Sequence, residues 1–215
     1  MRISIILLLS VILLSCGTTN KLQTNKSESN FTESQIELIY SDKVTAPMRV
    51  LLITDPKDSI ILRTNSKHVY VNSNDSTLNY FAQRLYSTVN NPNNPGVGIA
   101  APQVGILKNI IWVQRFDKDK EPFEVYYNPQ IDKYSELKQT VLEGCLSIPD
   151  IRDSLNMRAY SILLQYDNAK GEHICEMIED FTAVIFQHEI DHLNGILFID
   201  HLEKEREASG NHDLK

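Results

Sequence analysis

The chain has 215 residues, of which 42% are hydrophobic and 23% charged, and a formal net charge of -7. At about 150 residues per domain this is one domain with an extension. The near-average composition excludes a disordered chain, a collagen and a polytopic membrane protein, and the acidic balance argues against a nucleic-acid partner.

Residues 1–15, MRISIILLLSVILLS, place Arg2 ahead of an apolar run from Ile3 to Leu14. A cation before a short apolar stretch is a secretory-signal pattern, too short to span a bilayer comfortably. The run ends at Leu13-Leu14-Ser15-Cys16-Gly17, which resembles the lipobox of bacterial lipoproteins. A plain signal peptide or a retained N-terminal anchor are the other readings. The resemblance implies cleavage before Cys16, lipidation of its thiol, and attachment to a bacterial membrane in the cell envelope. From 17 to 35 only Leu22 and Phe31 are substantially apolar, which, with the lipidated Cys16, predicts a flexible tether over 16–35. The folded domain is expected over 36–215.

Within the domain, Val50–Ile53 and Ile60–Leu62 are β-prone runs split by a turn signal at Asp55-Pro56-Lys57-Asp58. Leu78, Phe81, Ala82, Leu85 and Val89 recur at helical spacing over 77–89, with Asp75 or Ser76 as the cap. The Asn/Pro-rich stretch 90–96 must be loop. Ile110–Val113, Glu124–Tyr127 and Ser161–Tyr166 are strand-like, and Asn168-Ala169-Lys170-Gly171 predicts a hairpin turn into a strand over 172–178. That strand holds Cys175, expected to be buried and inert. A helix opens at Asp180 and runs to Asn194, with Gly195 in the stopping position. It is apolar on most sides and should be central. The charged stretch from Glu203 is too short for a full terminal helix. These elements predict an α+β fold with mostly antiparallel sheets packed around that helix.

Three motifs carry chemistry. Gln187-His188-Glu189-Ile190-Asp191-His192 contains His-Glu-x-x-His, which puts both imidazoles on one helix face, where they can share a divalent metal. Glu189, beside the first ligand, is placed to take a proton from a water that the metal holds. A third protein ligand is needed. Asp200, His201 and Glu203 lie downstream, as in zinc peptidases; upstream, Glu143-Gly144-Cys145-Leu146-Ser147 offers a thiolate, a strong soft ligand. The third motif is Gly96-Val97-Gly98-Ile99-Ala100-Ala101-Pro102-Gln103. Its glycines permit close backbone approach, and the Gln103 amide could donate to a developing oxyanion.

In this order and spacing the three motifs strongly resemble the peptide deformylases, over roughly Val50 to Leu202. The resemblance implies one divalent metal, Fe2+ first and Zn2+ second, on Cys145, His188 and His192. It implies Glu189 as general base and proton shuttle, and Gln103 with the Leu146 backbone N–H as oxyanion donors. Formate would leave an N-formyl-methionyl peptide. Val97, Gly98 and Glu143 match positions that hold substrate backbone or line the methionine pocket. Phe181, Val184 and Ile185 match further pocket positions, and Arg152 an arginine near the entrance. A formyl-peptide-binding lipoprotein without catalysis, and an amidase or peptidase on another substrate, are the competing readings. The export signal is the main departure, because deformylation of nascent chains is cytosolic.

Overall fold

A computed structural model describes residues 29–210. The signal segment, Cys16 and the first part of the expected tether lie outside the described residues. Among those described, no helix is long and apolar enough to cross a membrane.

The chain enters through helix α1 (Glu33–Ile39), where Thr32 and Gln35 form a reciprocal capping box. Residues 31–35, expected in the tether, here include the buried Phe31 and the first turn of α1. Phe31, only 4% exposed, packs in the core and meets Phe81 edge to face, with ring centroids 5.8 Å apart. One buried aromatic and a cap were enough to order a stretch whose composition is otherwise polar. The buried Arg84 guanidinium secures the same segment by donating to the carbonyl oxygens of Leu38, Ile39, Ala46 and Pro47.

Two short β-prone runs turn out differently. Val50–Ile53 lies outside any strand, and residues 60–62 belong to helix α2 (Pro56–Leu62). The Asp55 side chain accepts from the Lys57 and Asp58 backbone N–H groups, and Pro56 occupies the first turn. The Asp-Pro pair is thus a helix start rather than a turn between strands. Helix α3 (Ser76–Val89) forms where the spacing predicts, capped by Asp75.

Five antiparallel strands make the main sheet, in the order β1 (Gly98–Ala100), β2 (Ile110–Gln114), β3 (Phe123–Tyr134), β6 (Ser161–Asp167) and β7 (His173–Glu179). Side chains alternate between its faces. Ile99, Ile110 and Trp112 join α3 in one core; Ala100, Ile111, Val113, Ile162 and Leu164 join helix α4 (Asp180–Leu193) in the other. Covered on both faces, β2 is apolar from Ile110 to Val113.

Strands β4 (Lys138–Cys145) and β5 (Ile148–Ala159) form a separate two-stranded sheet. Its side chains are largely exposed or half-buried, so it carries little of the apolar periodicity that announces a strand. Helix α5 (Phe198–Ala208) follows α4 and packs Phe198 and Leu202 with Ile148 and Leu155 of that hairpin. The charged stretch from Glu203 is thus helical to Ala208, continuing a helix anchored by Phe198 and Leu202. Cys175 is a free thiol on β7 and is exposed rather than buried: it lies on the solvent side of the strand, whereas Ile178 faces the core.

Candidate metal centre and active site

Helix α4 brings His188 and His192 to one face, one turn apart, with ring centroids 5.0 Å apart. Cys145 ends β4 at a hairpin turn made by Leu146 and Ser147 before Ile148 resumes the pairing. The hairpin carries the thiol to the helix, where Cys145 Sγ lies 3.1 Å from His192 Nε2. One ligand atom from each of Cys145, His188 and His192 falls within 4.8 Å of the others. Two of the downstream alternatives are occupied elsewhere. Asp200 pairs with Arg63 and accepts from the Leu197 N–H at 2.8 Å, and His201 meets Asp191 at 2.8 Å.

The donor set suits a divalent transition metal: a thiolate and two imidazoles are soft-to-borderline ligands. The rest of the site fits as well. His188 Nδ1 bonds Glu143 Oε2 at 2.8 Å, which leaves Nε2 to face the cluster, the usual arrangement for a ligating histidine. Burial pushes His192 well below its ordinary pKa, which keeps it neutral as a ligand must be. His192 Nδ1 and Glu189 Oε2 are buried atoms without a hydrogen-bond partner.

Glu189 lies in the same pocket, buried beside Gly98. A Cβ on Gly98 would stand 2.5 Å from Glu189 Oε1 and 2.8 Å from Ile185 Cγ2, so only glycine fits there. Burial, with the Glu143 and Asp191 carboxylates adding to it against the pull of His188, raises the Glu189 carboxyl to about 7. Gln103, 2% exposed, comes from a 3-10 turn (Ala101–Val104). Its Oε1 accepts from the Ala100 N–H at 2.8 Å, which turns Nε2 toward Cys145 Sγ at 3.5 Å.

These groups line a cavity of about 770 Å³. Gln103, Cys145, Leu146, His188 and Glu189 are on its wall, and so are all seven residues expected to contact substrate: Val97, Gly98, Glu143, Arg152, Phe181, Val184 and Ile185. Glu143 has a further task that its place in the motif did not reveal. Its oxygens accept from Arg158 Nε at 2.7 Å and Arg158 Nη2 at 3.0 Å as well as bonding His188. Burial opposes ionisation, but these bonds outweigh it and hold Glu143 at about 2. Its carboxylate is therefore committed to the protein rather than to a ligand. Arg158 also donates to Asp191 at 2.7 Å, extending a chain His188–Glu143–Arg158–Asp191–His201 that runs from the buried Glu143–Arg158 pair out to the half-buried Asp191 and His201. Sequence reasoning missed Arg158 and Asp191. A basic residue in a strand and an acid within a motif look like surface charge until the fold pairs them.

An α+β fold whose buried helix carries His-Glu-x-x-His against a hairpin cysteine defines the class of metal-dependent hydrolases. A sequence profile of the polypeptide deformylase family matches residues 48–208. A peptide deformylase from Caulobacter sp. (strain K31) is 37% identical over 157 residues, covering 73% of this chain and 88% of the relative. One from Pseudothermotoga lettingae is 35% identical over 158 residues, covering 74% and 84%. The class I type b peptide deformylase of Acinetobacter baumannii, solved with Met-Ala-Ser bound, superposes with a TM-score of 0.64 at 34% identity, covering 73% of this chain and 99% of that one. The chain belongs to the peptide deformylase family. It is an enzyme of that metal-dependent family, whose members act on formyl-methionyl peptides.

Proposed function

We propose that this enzyme removes the N-formyl group from formyl-methionyl peptides at a single divalent metal, Fe2+ first and Zn2+ second, held by Cys145, His188 and His192. The observation that carries the reading is the unpartnered Glu189 Oε2, buried beside the three ligands on the cavity wall. When bound, the metal supplies Lewis acidity that lowers the pKa of a water and polarises a carbonyl oxygen. Glu189 would accept the proton of the attacking water and return it to the departing amine. With its pKa near neutrality it is suited to both steps. Gln103 Nε2 and the Leu146 backbone N–H stabilise the negative charge that develops on the formyl oxygen, a donor of this kind being worth about 3 kcal/mol. Formate and a free amine result.

Gly98 and Val97 lie along the substrate backbone, and Phe181, Val184 and Ile185 form an apolar wall for the methionine side chain, with Arg152 near the entrance. The Met-Ala-Ser in the Acinetobacter baumannii relative supports a methionine-led peptide in this cavity. The test is turnover of formyl-Met peptides by the purified full chain, with metal analysis of the same sample. Metal-replete protein that releases no formate refutes the reading.

The lipobox-like Leu-Leu-Ser-Cys at 13–16 supports a location on the envelope side of a bacterial membrane, anchored through lipid on Cys16. Stable anchoring takes more than one acyl chain. Cys16→Ser should release the protein from membranes or block its processing, as fractionation would show; unchanged membrane attachment and processing refute the lipid anchor.

A further inference from the structure

We propose that Ser147 is a positioning residue: its hydroxyl sets the Gln103 side-chain amide so that one Nε2 hydrogen is held by the protein and the other is left for substrate. The inference rests on the deformylase reading of the cavity. Ser147 belongs to the Glu-Gly-Cys-Leu-Ser motif, yet it is neither a metal ligand nor on the cavity wall. It is fully buried, at 0% exposure, and its Oγ lies 3.3 Å from Gln103 Nε2.

The geometry around Gln103 leaves one role open. An amide free to rotate by 180° would present Oε1 or Nε2 to the cavity with similar ease, and only Nε2 can stabilise an oxyanion. Two contacts choose between them. Oε1 is taken by the Ala100 N–H at 2.8 Å. On the other side of the group, the Ser147 hydroxyl offers an acceptor to one Nε2 hydrogen. Nε2 also approaches Cys145 Sγ at 3.5 Å, a long contact to sulfur that a substrate oxygen could replace.

Ser147 is itself placed from two directions. Its backbone N–H approaches Cys145 Sγ at 3.4 Å, and its carbonyl accepts from the Ile53 N–H at 2.9 Å. Two residues earlier, the Leu51 N–H donates to the Gln103 carbonyl at 2.8 Å. The segment 51–53 thus ties the Gln103 turn and the cysteine hairpin into one unit, with the hydroxyl–amide contact between them.

The test is a mutant cycle on the full-length, metal-loaded enzyme with a formyl-Met peptide. Ser147→Ala should lower kcat about tenfold, part of what a lost oxyanion donor costs, with KM little changed and metal content intact. In a Gln103→Leu background the same change should add almost nothing, because residues acting as a unit are not additive. An unchanged kcat, loss of metal, or an equal loss in both backgrounds overturns the proposal. Should Ser147→Ala fail to fold, proton exchange of the Gln103 side-chain amide in the unsubstituted protein decides. One slow and one fast Nε2 proton are expected, and two equally fast protons overturn the proposal. That measurement needs no substrate, so an enzyme inert toward formyl-Met peptides would sink the deformylase reading and leave this one to be judged separately.

Discussion

His188 and Glu143 are joined by a hydrogen bond of 2.8 Å, so the imidazole that faces the metal site is oriented from behind by a carboxylate that Arg158 also clamps. Partners of this kind are worth about 10- to 100-fold in metal affinity. Glu143→Gln should therefore weaken metal retention by about that factor, measured as the rate of metal loss to a chelator. An unchanged rate would show that His188 needs no such support.

Glu189→Gln preserves shape but removes the proton acceptor. Metal stoichiometry should stay at the wild-type level while kcat falls by about a hundredfold or more. Elemental analysis paired with a formate-release assay checks both halves. Most of the activity surviving would mean that another group serves as base.

Gly98→Ala forces a Cβ into a space where it would meet Glu189 Oε1 at 2.5 Å and Ile185 Cγ2 at 2.8 Å. Either the carboxylate or β1 must move, and a displacement of order 1 Å in a reacting group can cost about 100-fold. We predict a fall in kcat of that order with full metal content. Wild-type kinetics would show that Glu189 can yield without loss.

Phe31 tests where the folded domain begins. If the segment before α1 is part of the core, Phe31→Ala should cost about 3 kcal/mol in a reversible denaturation experiment. A change below about 0.5 kcal/mol, the scale of a surface substitution, would return residues 29–35 to the tether.

Asp58 carries an acid-sensitive share of stability. It bonds Arg49 in bidentate fashion at 2.6 and 2.8 Å and accepts from the Leu52 N–H at 2.9 Å. The Arg49 hydrogen bond, opposed by burial and helped by Leu52, holds its carboxyl below the ordinary 3.8. A depressed folded-state pKa adds stability that is complete above the unfolded value and is lost as pH falls through the folded one. Asp58→Asn should lower stability at neutral pH and flatten its decline below about pH 4. Parallel pH profiles for the two proteins would contradict the assignment.

Much of the site was legible because its chemistry depends on residue types at fixed local spacings. Four residues of helix align His188 with His192 whatever surrounds them, and the order of the glycine, cysteine and histidine motifs marked the family. The long apolar periodicities, on α3 and α4, were equally readable. Short or solvent-facing elements were not. Ile60–Leu62 is β-prone by composition, yet the Asp55 cap and Pro56 start a helix there. The β4–β5 hairpin, which delivers Cys145, exposes too much of both faces to show a pattern.

The amino-acid sequence by itself placed His188, Glu189 and His192 on one helix, because that rests on contacts within one turn of chain, whereas Cys145 entered only through the family resemblance. Tertiary structure alone decided which carboxylate supports His188, that Phe31 belongs to the core, that Cys175 faces solvent, and that Ser147 meets Gln103. Each of these is a contact between segments distant in sequence or a choice of strand face. Burial supplies the physical reason: it makes an unpaired polar group costly and so forces charged and polar side chains from separate elements to find one another.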